Sequence, residues 1–377
     1  MNRILIIGGE CDSLINFRGE LIKKFKEKNC EVFAISGGKC SDSTLESLSL
    51  LGVDYQNISF HRSGINPFSD ISYLLKLIIA IYRINPDILF AYTIKPVIFG
   101  LIASRYSKTK KSYALITGLG SAFIHPNSFV KKIVSYIAKF LYKFSLKNAS
   151  LVFFQNHDDL NFFKIGNIIG KSKKTVVLDG SGVNLNHFSY EKPSNDLNFL
   201  FVGRLIKDKG IIEYIHAAEA IISKYKNLMI KFSVVGSIDI NPTSIKSDLL
   251  EDYISRGVIK YYQHTDDIRI HLKECSIFVL PSYREGIPRS SLEAMATGRA
   301  IITSNAPGCK ETVIDNKNGF LVKVGSVDEL VLAVEKFIHN RELIESMGVE
   351  SRAYVEKRFD VEKVNKDILE NMGLKSA

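Results

Sequence analysis

Short apolar runs that end in small or polar residues recur along the first half of the chain. They are RILIIGG (3–9), EVFAIS (31–36), PDILFAY (86–92), SYALITG (112–118), SLVFFQN (150–156) and KTVVLDG (174–180). Helical patterns separate them, as in the amphipathic stretch FRGELIKKFKEKNC (17–30). Apolar strands that alternate with amphipathic helices are typical of a parallel sheet covered on both faces. The pattern therefore predicts an α/β domain that starts with a βαβ unit.

The same alternation restarts in the second half of the chain. LNFLFVGRL (197–205) predicts a strand that ends in a glycine turn, and GIIEYIHAAEAIISKY (210–225) predicts an amphipathic helix. Further apolar runs follow at IKFSVVG (230–236), GVIKYYQ (257–263), CSIFVLPS (275–282) and RAIITSN (299–305). The restart predicts a second sheet with helices on both faces.

The segment 180–196 between the two series is rich in Gly, Ser, Asn and Pro, as expected of a hinge. We predict a Rossmann-like domain at 1–182, a second one at 183–358, and a charged helix at 359–377 that packs back on the first. Ligands of such sheets bind beyond the carboxyl ends of the strands. Two doubly wound domains would therefore face each other across a deep cleft.

The net charge of +10 is concentrated in one part of the 377-residue chain. No acidic residue lies between Asp87 and Asp158, whereas the cations there are Lys95, Arg105, Lys108, Lys110, Lys111, Lys131, Lys132, Lys139, Lys143 and Lys147. Such a block indicates an anionic partner, or else a solvated face of a lysine-rich protein. No nucleic-acid-binding motif accompanies it, so we expect no nucleic acid partner.

The N-terminus and the cysteines point to a cytoplasmic protein. The start MNRILIIGGE lacks the apolar run of a signal peptide, and no stretch reaches the ~20 apolar residues of a spanning helix. The cysteines form no CxxC pair, which predicts reduced thiols and neither a disulfide framework nor a zinc site. They are Cys11, Cys30, Cys40, Cys275 and Cys309.

Two glycine-rich stretches fail as nucleotide fingerprints. The segment from Gly118 has Phe123 where GxGxxG requires its third glycine, and Gly37-Gly38-Lys39 lacks the first glycine of a P-loop. Neither a dehydrogenase nor a P-loop NTPase is indicated.

The stretch GRLIKDKG (203–210) places Gly203 directly after a predicted strand. Arg204 and Lys209 flank the turn into the next helix, and two cations near a helix N-terminus can bind a diphosphate. The alternative is an ordinary charged turn whose side chains are solvated.

The stretch REGIPRSSLEAMATG (284–298) holds two carboxylates. Glu285 follows a predicted strand, and Glu293 lies on a helix that begins near Pro288. The two acids could hold opposite ends of one ligand, with an anion against the backbone between them. The alternatives are a capping box from Ser290 to Glu293 and an ion pair of Glu285 with a neighbouring arginine, Arg284 or Arg289.

The order of these motifs resembles the retaining GT-B glycosyltransferases of family 4. The resemblance rests on GRLxxxKG, on E-x7-E after PSYREG, and on GCKETVIDNKNGFLV (308–322). AYTIKPVIFGLIAS (91–104) and LITGLGSAF (115–123) are similar to bacterial hexosaminyltransferases of O-antigen, capsule and glycan assembly. Those enzymes extend sugars on undecaprenyl diphosphate, often with N-acetylgalactosamine from UDP-GalNAc.

The resemblance implies roles for named residues. Arg204 and Lys209 would bind the UDP diphosphate, Glu293 the ribose hydroxyls, and Glu285 would face the donor sugar. The implied donor-binding set is Gly9, Gly203, Arg204, Lys209, Glu285, Gly286, Ile287, Pro288, Arg289 and Glu293. The implied acceptor set is Asn16, Arg18, Lys95, Thr117, Gly118 and Gly120. Arg204, Lys209 and Glu285 would serve catalysis by a same-face displacement, with no metal or other cofactor.

The segment FVKKIVSYIAKFLYKFSLKNA (129–149) mixes lysines with large apolar residues and resembles an interfacial amphipathic helix. We expect it to dock on anionic inner-leaflet lipid through Lys131, Lys132, Lys139 and Lys143. The alternative is a helix packed on its own sheet, with lysines that extend to solvent.

The resemblance therefore implies a retaining hexosyltransferase, peripheral on the cytoplasmic face of the inner membrane. It would move an N-acetylhexosamine such as GalNAc from a UDP-sugar to an undecaprenyl-diphosphate-linked saccharide, in lipopolysaccharide O-antigen or capsule biosynthesis. The alternatives are transfer from another UDP- or GDP-sugar (hexose, mannose or deoxysugar) and a UDP-sugar epimerase or hydrolase on the same fold.

Overall fold

The computed structural model describes residues 1–60, 66–119, 123, 129–238, 243–265 and 267–374, apart from the side chains of Val130 and Lys131. The chain forms two compact units. The first comprises Met1–Ser181 with the last helix from Val364 onward, and the second comprises Gly182–Lys363.

The first unit is built on seven strands. They are β1 (Arg3–Ile7), β2 (Glu31–Ser36), β3 (Asp54–Asn57), β4 (Ile88–Tyr92), β5 (Lys111–Ile116), β6 (Leu151–Phe154) and β7 (Thr175–Val177). The sheet order is β3-β2-β1-β4-β5-β6-β7, and all neighbours run parallel. The order changes direction between β1 and β4, which is where ligands of such sheets bind.

Alternation along the strands gives this sheet two apolar faces. In β1, Leu5 and Ile7 point into one core, and Ile4 and Ile6 into the other. Helices cover both faces: α1 (Asp12–Asn16), α2 (Gly19–Glu27), α3 (Asp42–Leu50), α4 (Pro67–Ile84), α5 (Ile94–Ala103), α6 (Phe129–Leu146) and α7 (His157–Ile165). The first three pack on one face, and α4 to α7 pack on the other. No helix of the described ranges is long and apolar enough to cross a membrane.

The second unit is built on six strands. They are β8 (Leu197–Val202), β9 (Ile230–Val235), β10 (Lys260–Tyr262), β11 (Ile277–Leu280), β12 (Ala300–Ser304) and β13 (Gly319–Val322). The sheet order is β10-β9-β8-β11-β12-β13, again all parallel, and it changes direction between β8 and β11.

The helices of the second unit are α8 (Ile211–Lys224), α9 (Ser247–Ser255), α10 (Arg269–Glu274), α11 (Arg289–Ala296), α12 (Val327–His339) and α13 (Glu342–Arg358). The last helix, α14 (Val361–Met372), contributes Ile368 and Met372 to a core of the first unit. The Tyr113 hydroxyl of β5 donates to the Met372 carbonyl at 2.9 Å.

The prediction of two doubly wound α/β domains is confirmed. Two edge strands, β3 and β13, were not predicted. In β3 the sequence DYQN has no apolar run, because only the side chain of Tyr55 is partly buried in this edge strand. An edge strand with one solvated face gives little hydrophobic signal.

The prediction of reduced thiols is wrong for one pair of cysteines. Cys11 and Cys40 form a disulfide with their Cα atoms 5.0 Å apart. Cys11 follows β1 and Cys40 follows β2, and these parallel neighbours end at the same edge of the sheet. Spacing along the sequence does not show this proximity. The other cysteines, Cys30, Cys275 and Cys309, are free and buried.

Candidate functional site

Two loops flank the change of direction between β8 and β11. The backbone N–H of Tyr283 donates to the Asp208 carbonyl at 2.9 Å, which joins the loop after β11 to the loop after β8. Gly210 has φ 75°, and a Cβ atom there would lie 2.2 Å from the Pro281 carbonyl oxygen. Only glycine allows both this backbone conformation and this approach.

Lys209 and Glu285 meet at this edge although 76 residues separate them in the sequence. The Lys209 ammonium donates to Glu285 Oε1, and the Ser282 hydroxyl donates to the same oxygen at 2.8 Å. The Lys209 side chain is 22% exposed and that of Glu285 is 14% exposed. The carboxylate is thus held by two donors, and the cation stays accessible from the crevice.

The loop that carries Glu285 is fixed by the segment after β12. The Glu285 backbone N–H donates to the Pro307 carbonyl at 3.0 Å. Gly308 has φ 79°, and a Cβ atom there would lie 2.2 Å from the Gly286 carbonyl oxygen. Sequence reasoning did not single out Ser282 or Gly308. Ser282 is the polar residue that ends the apolar run CSIFVLPS, and Gly308 is the first glycine of GCKETVIDNKNGFLV. These two features are the sequence signals that could have indicated them.

Glu293 pairs with Arg289 one helical turn earlier, with Arg289 Nε 2.8 Å from Glu293 Oε1. Burial raises the pKa of the Glu293 carboxyl, and Arg289 lowers it in part. The capping-box alternative is wrong, because α11 begins at Arg289 and Pro288 is its N-cap. Ser290 therefore lies inside the helix, and its hydroxyl donates to the Val202 carbonyl at 3.3 Å.

The other predicted donor residues of the second unit lie on the same two loops, whereas Gly9 lies in the first unit. Arg204 is exposed just beyond β8, and Gly286, Ile287 and Pro288 are buried ahead of α11. Gly203 is half-buried. Its carbonyl oxygen would lie only 1.9 Å from a Cβ atom at Gly236, a glycine that sequence reasoning did not single out.

The corresponding crevice of the first unit lies between β1 and β4. Gly9 follows β1, and a Cβ atom there would lie 2.7 Å from Thr93 Oγ1. Thr93 follows β4 with φ 69°, in the left-handed region. Arg18 is only 1% exposed, with its guanidinium 5.1 Å from the centre of the Tyr92 ring. Burial raises the pKa of the Tyr92 hydroxyl to about 12.

Lys95, in the first turn of α5, donates to Asp70 of α4 at 2.6 Å. Both side chains are largely buried, at 12% and 13% exposed. Thr117 and Gly118 follow β5 and are half-buried, and Asn16 is exposed at the end of α1. Because β1, β4 and β5 are parallel neighbours, these predicted acceptor residues follow one edge of the sheet. Gly120 lies outside the described residues.

The predicted docking lysines lie on α6. Lys132 and Lys143 are exposed, whereas Lys139 is half-buried, with its ammonium 5.3 Å from the centre of the Phe162 ring. The side chain of Lys131 lies outside the part that the structure describes.

Comparison with known proteins assigns the family. Residues 183–354 match the family Glycosyl transferases group 1, and residues 14–156 match the family Glycosyl transferase 4-like. The chain is 30% identical to the N,N'-diacetylbacillosaminyl-diphospho-undecaprenol alpha-1,3-N-acetylgalactosaminyltransferase of Campylobacter jejuni, with 88% of each chain covered. The chain belongs to the group 1 glycosyltransferases. The predicted resemblance is thereby confirmed.

Other relatives of this glycosyltransferase agree. The capsular polysaccharide biosynthesis glycosyltransferase CapM of Staphylococcus aureus is 28% identical, with 91% of this chain and 89% of CapM covered. Anabaena HepE, solved with UDP-glucose, matches with a TM-score of 0.75 and 18% identity, covering 99% of this chain and 100% of HepE. Sucrose-phosphate synthase of Thermosynechococcus elongatus matches with a TM-score of 0.79 and 16% identity, covering 99% and 98%. The predicted GT-B fold is confirmed.

The matched segments contain most of the predicted site of this glycosyltransferase. Lys209, Glu285 and Glu293 lie within the group 1 segment, and Arg18 and Lys95 lie within the 4-like segment. The individual roles of these residues stay predictions.

Proposed function

We propose that this glycosyltransferase moves an N-acetylhexosamine, such as GalNAc, from a UDP-sugar to a saccharide on undecaprenyl diphosphate during surface glycan assembly. The Campylobacter jejuni relative is named for such an N-acetylgalactosaminyl transfer. An Escherichia coli relative, 25% identical with 77% of this chain and 76% of its own covered, is named UDP-Gal:alpha-D-GlcNAc-diphosphoundecaprenol alpha-1,3-galactosyltransferase. Both names describe a lipid-diphosphate acceptor.

We further propose that the anomeric configuration is retained. Both of these relatives are named for α-linked products. An α-configured UDP-sugar that yields an α-linkage keeps its configuration. The reaction would break the bond between the anomeric carbon and the phosphate oxygen of UDP, and would form the new bond on the same face of the sugar. The leaving phosphate would accept the proton of the acceptor hydroxyl.

The observation that carries the proposal is the cluster of Lys209, Glu285 and Ser282. A cation fixed beside a loop at the carboxyl edge of the sheet supports a role for Lys209 in stabilising a leaving diphosphate. In this proposal Glu285 orients Lys209 before the donor binds and faces the donor sugar afterwards. Arg204, exposed on the same loop, would supply the second cation.

The pair of Arg289 and Glu293 would hold the nucleoside. A carboxylate accepts hydrogen bonds from two vicinal hydroxyls, and Arg289 keeps the buried carboxyl of Glu293 oriented and favours its charged form. With cations supplied by the protein, we propose that transfer needs no metal. EDTA should then leave the rate unchanged, and a loss restored by Mg²⁺ or Mn²⁺ would contradict this proposal.

We also propose that the enzyme acts at the cytoplasmic face of the inner membrane, as a peripheral protein that meets its lipid-linked acceptor there. The acid-free basic block of the first unit supports attraction to anionic lipid.

A donor panel tests the proposed function. The full-length chain is incubated with UDP- and GDP-sugars and a short-chain prenyl-diphosphate-linked sugar, as wild type and as Glu285→Gln. Glu350→Gln is the matched control, because Glu350 also pairs with a lysine in the same unit but its side chain is 43% exposed. Transfer from one UDP-N-acetylhexosamine, lost in Glu285→Gln and kept in Glu350→Gln, is the expected result.

Other outcomes would replace parts of this proposal. Transfer from a different UDP- or GDP-sugar would overturn the proposed donor. Turnover of a UDP-sugar without acceptor would instead indicate an epimerase or a hydrolase. Proton NMR of the product would test retention, because a β-configured linkage from an α-configured donor would contradict it.

A further inference from the structure

The helix α4 exposes a continuous apolar stripe. Its large exposed apolar residues are Phe68, Ile71, Leu75, Ile79 and Tyr82, each between 51% and 87% exposed. Their spacing of three and four residues aligns them along one face of a helix about 27 Å long. The opposite face, with Tyr73 and Leu77, is buried in the core. Within the described residues, α4 is therefore a surface helix that is apolar on both its buried and its exposed face.

The helix α6 exposes a second stripe of the same kind. Its exposed apolar residues are Phe129, Ile133, Tyr136, Phe140 and Phe144, each between 39% and 78% exposed. Tyr142 and Leu146 on its inner face are buried in the same core that α4 contributes to. The alternative that this helix packs on its own sheet is confirmed, whereas its docking on lipid stays a prediction.

The two stripes belong to one surface. The helix α5 packs between α4 and α6, and all three helices cover the same face of the sheet. The outer sides of α4 and α6 therefore both point away from that sheet. Two interhelical spacings separate the helices, on the order of 20 Å. We call the exposed stripes of α4 and α6 together the outer apolar surface.

The charges around this surface have one sign. The single acidic residue of α4 is Asp70, which is buried and paired with Lys95, and α5 and α6 contain no acidic residue. The exposed charged side chains of these helices include Lys76 and Arg83 on α4 and Lys132 and Lys143 on α6. An apolar surface with a cationic fringe matches an anionic bilayer, with acyl chains below and phosphates above. A second copy of the chain would bring like charges together instead.

We propose that α4 and α6 dock the protein on an anionic bilayer, with both stripes inserted at the boundary between headgroups and acyl chains. The inference deepens the proposed function, because a lipid-linked acceptor requires an enzyme held at the membrane. It adds α4 to the docking element. The apolar contact comes from both helices, and the lysines and arginines supply the attraction to lipid phosphates.

The absence of tryptophan from the sequence provides a direct test. Leu75→Trp on α4 and Tyr136→Trp on α6 each introduce the sole indole of the chain. Leu50→Trp is the matched control, because Leu50 is 81% exposed on α3, which packs on the opposite face of the same sheet. The full-length variants are mixed with phosphatidylglycerol-containing vesicles. We expect a blue shift and quenching by brominated acyl chains at positions 75 and 136, and neither at position 50.

An unshifted, unquenched indole at position 75, with vesicle-bound protein, would overturn the assignment of α4.

Vesicle flotation measures how much α4 contributes to the partitioning of the protein onto vesicles. The variant Ile71→Ser/Leu75→Ser/Ile79→Ser should lose about tenfold or more in partitioning to anionic vesicles, because three aliphatic side chains no longer insert. The exposed pair Leu45→Ser/Leu50→Ser on α3 should leave partitioning unchanged. Equal binding by the α4 variant and the wild type would contradict the proposal.

Two further measurements separate the possible failures. Sedimentation without lipid would reveal whether the wild type forms a dimer that is lost in the α4 variant. Such a dimer, together with equal vesicle binding by the two proteins, would overturn the docking proposal. Calorimetric titration with UDP tests donor binding rather than docking, and it should give equal affinity in the wild type and the α4 variant. Failure of UDP to bind the wild type would contradict the proposed function, whereas flotation reports on docking regardless of that result.

Discussion

The crevice between β8 and β11 and the crevice between β1 and β4 occupy equivalent places in two sheets of like topology. In the second unit, Lys209 meets Glu285, and both side chains come from loops at the crevice itself. In the first unit, Lys95 meets Asp70, which lies in the helix layer beside the sheet. The pair in the first unit therefore joins two helices, whereas the pair in the second unit joins two loops at the crevice.

The two crevices also use glycine differently. Gly210 and Gly308 of the second unit would meet backbone carbonyl oxygens if they carried a Cβ atom. A Cβ atom at Gly8 or Gly9 of the first unit would instead meet side-chain atoms, those of Tyr92 at the end of β4 and of Thr93 directly after it. Backbone atoms of a packed loop cannot move aside, whereas the Thr93 side chain that a Cβ atom at Gly9 would meet can rotate. The second crevice is thus the more rigid, as a preorganised site requires.

The largest effect should come from Lys209. Lys209→Ala should slow transfer by about 10²–10³-fold, or roughly 3–4 kcal/mol, because a preorganised donor to the leaving diphosphate is lost. Lys207→Ala in the same turn is the control, since Lys207 is exposed. Steady-state kinetics with the identified donor provide the measurement. If Lys95→Met slowed transfer as much as Lys209→Ala without lowering stability, the two lysines would have the same role and the contrast between the two crevices would be wrong.

The next effect concerns the stability of the first unit. Asp70→Asn should lower the free energy of unfolding by about 3 kcal/mol, because the largely buried Lys95 ammonium loses its partner. Glu27→Gln, which breaks an exposed pair with Lys24, should change little. Urea denaturation measures both variants. A small effect of Asp70→Asn would mean that Lys95 is as available to ligands as Lys209.

The glycine comparison can be tested directly. Gly308→Ala should destabilise the protein by about 2–3 kcal/mol, since left-handed strain adds to a collision with the Gly286 carbonyl. Gly257→Ala separates the backbone strain from the collision, because Gly257 also has positive φ but faces open space. This substitution should cost about 1 kcal/mol of stability. Gly9→Ala should cost less than Gly308→Ala. Thermal unfolding ranks the three, and the reverse order would contradict the difference in rigidity.

The smallest effect is the pH dependence from Glu293. Its pKa is higher in the folded than in the unfolded chain, so the folded state binds this proton more tightly. The stability contributed by the protonated carboxyl is therefore present below about pH 4.5 and is lost as pH rises through the folded pKa. Glu293→Gln should remove this slope in unfolding curves. UDP affinity should rise with pH over the same window in the wild type only.

Much of the fold could be predicted from local pattern alone. The run RILIIGG holds four consecutive apolar residues, most of its successors hold a similar apolar stretch, and buried parallel strands require such stretches. The polar edge strand β3 was missed for the same reason, since it lacks that pattern. The loop positions of Lys209 and Glu285 were also predictable, because each follows a strand and precedes a helix.

The pairing of these residues was decided by tertiary structure. Lys209 meets Glu285 because β8 and β11 are neighbours, and the sequence does not state the order of strands in a sheet. The disulfide of Cys11 and Cys40 depends on the adjacency of β1 and β2 in the same way. Periodicity along a chain specifies which side chains are buried and on which element. Contacts between distant segments arise only when elements pack, and the chemistry proposed for this enzyme depends on those contacts.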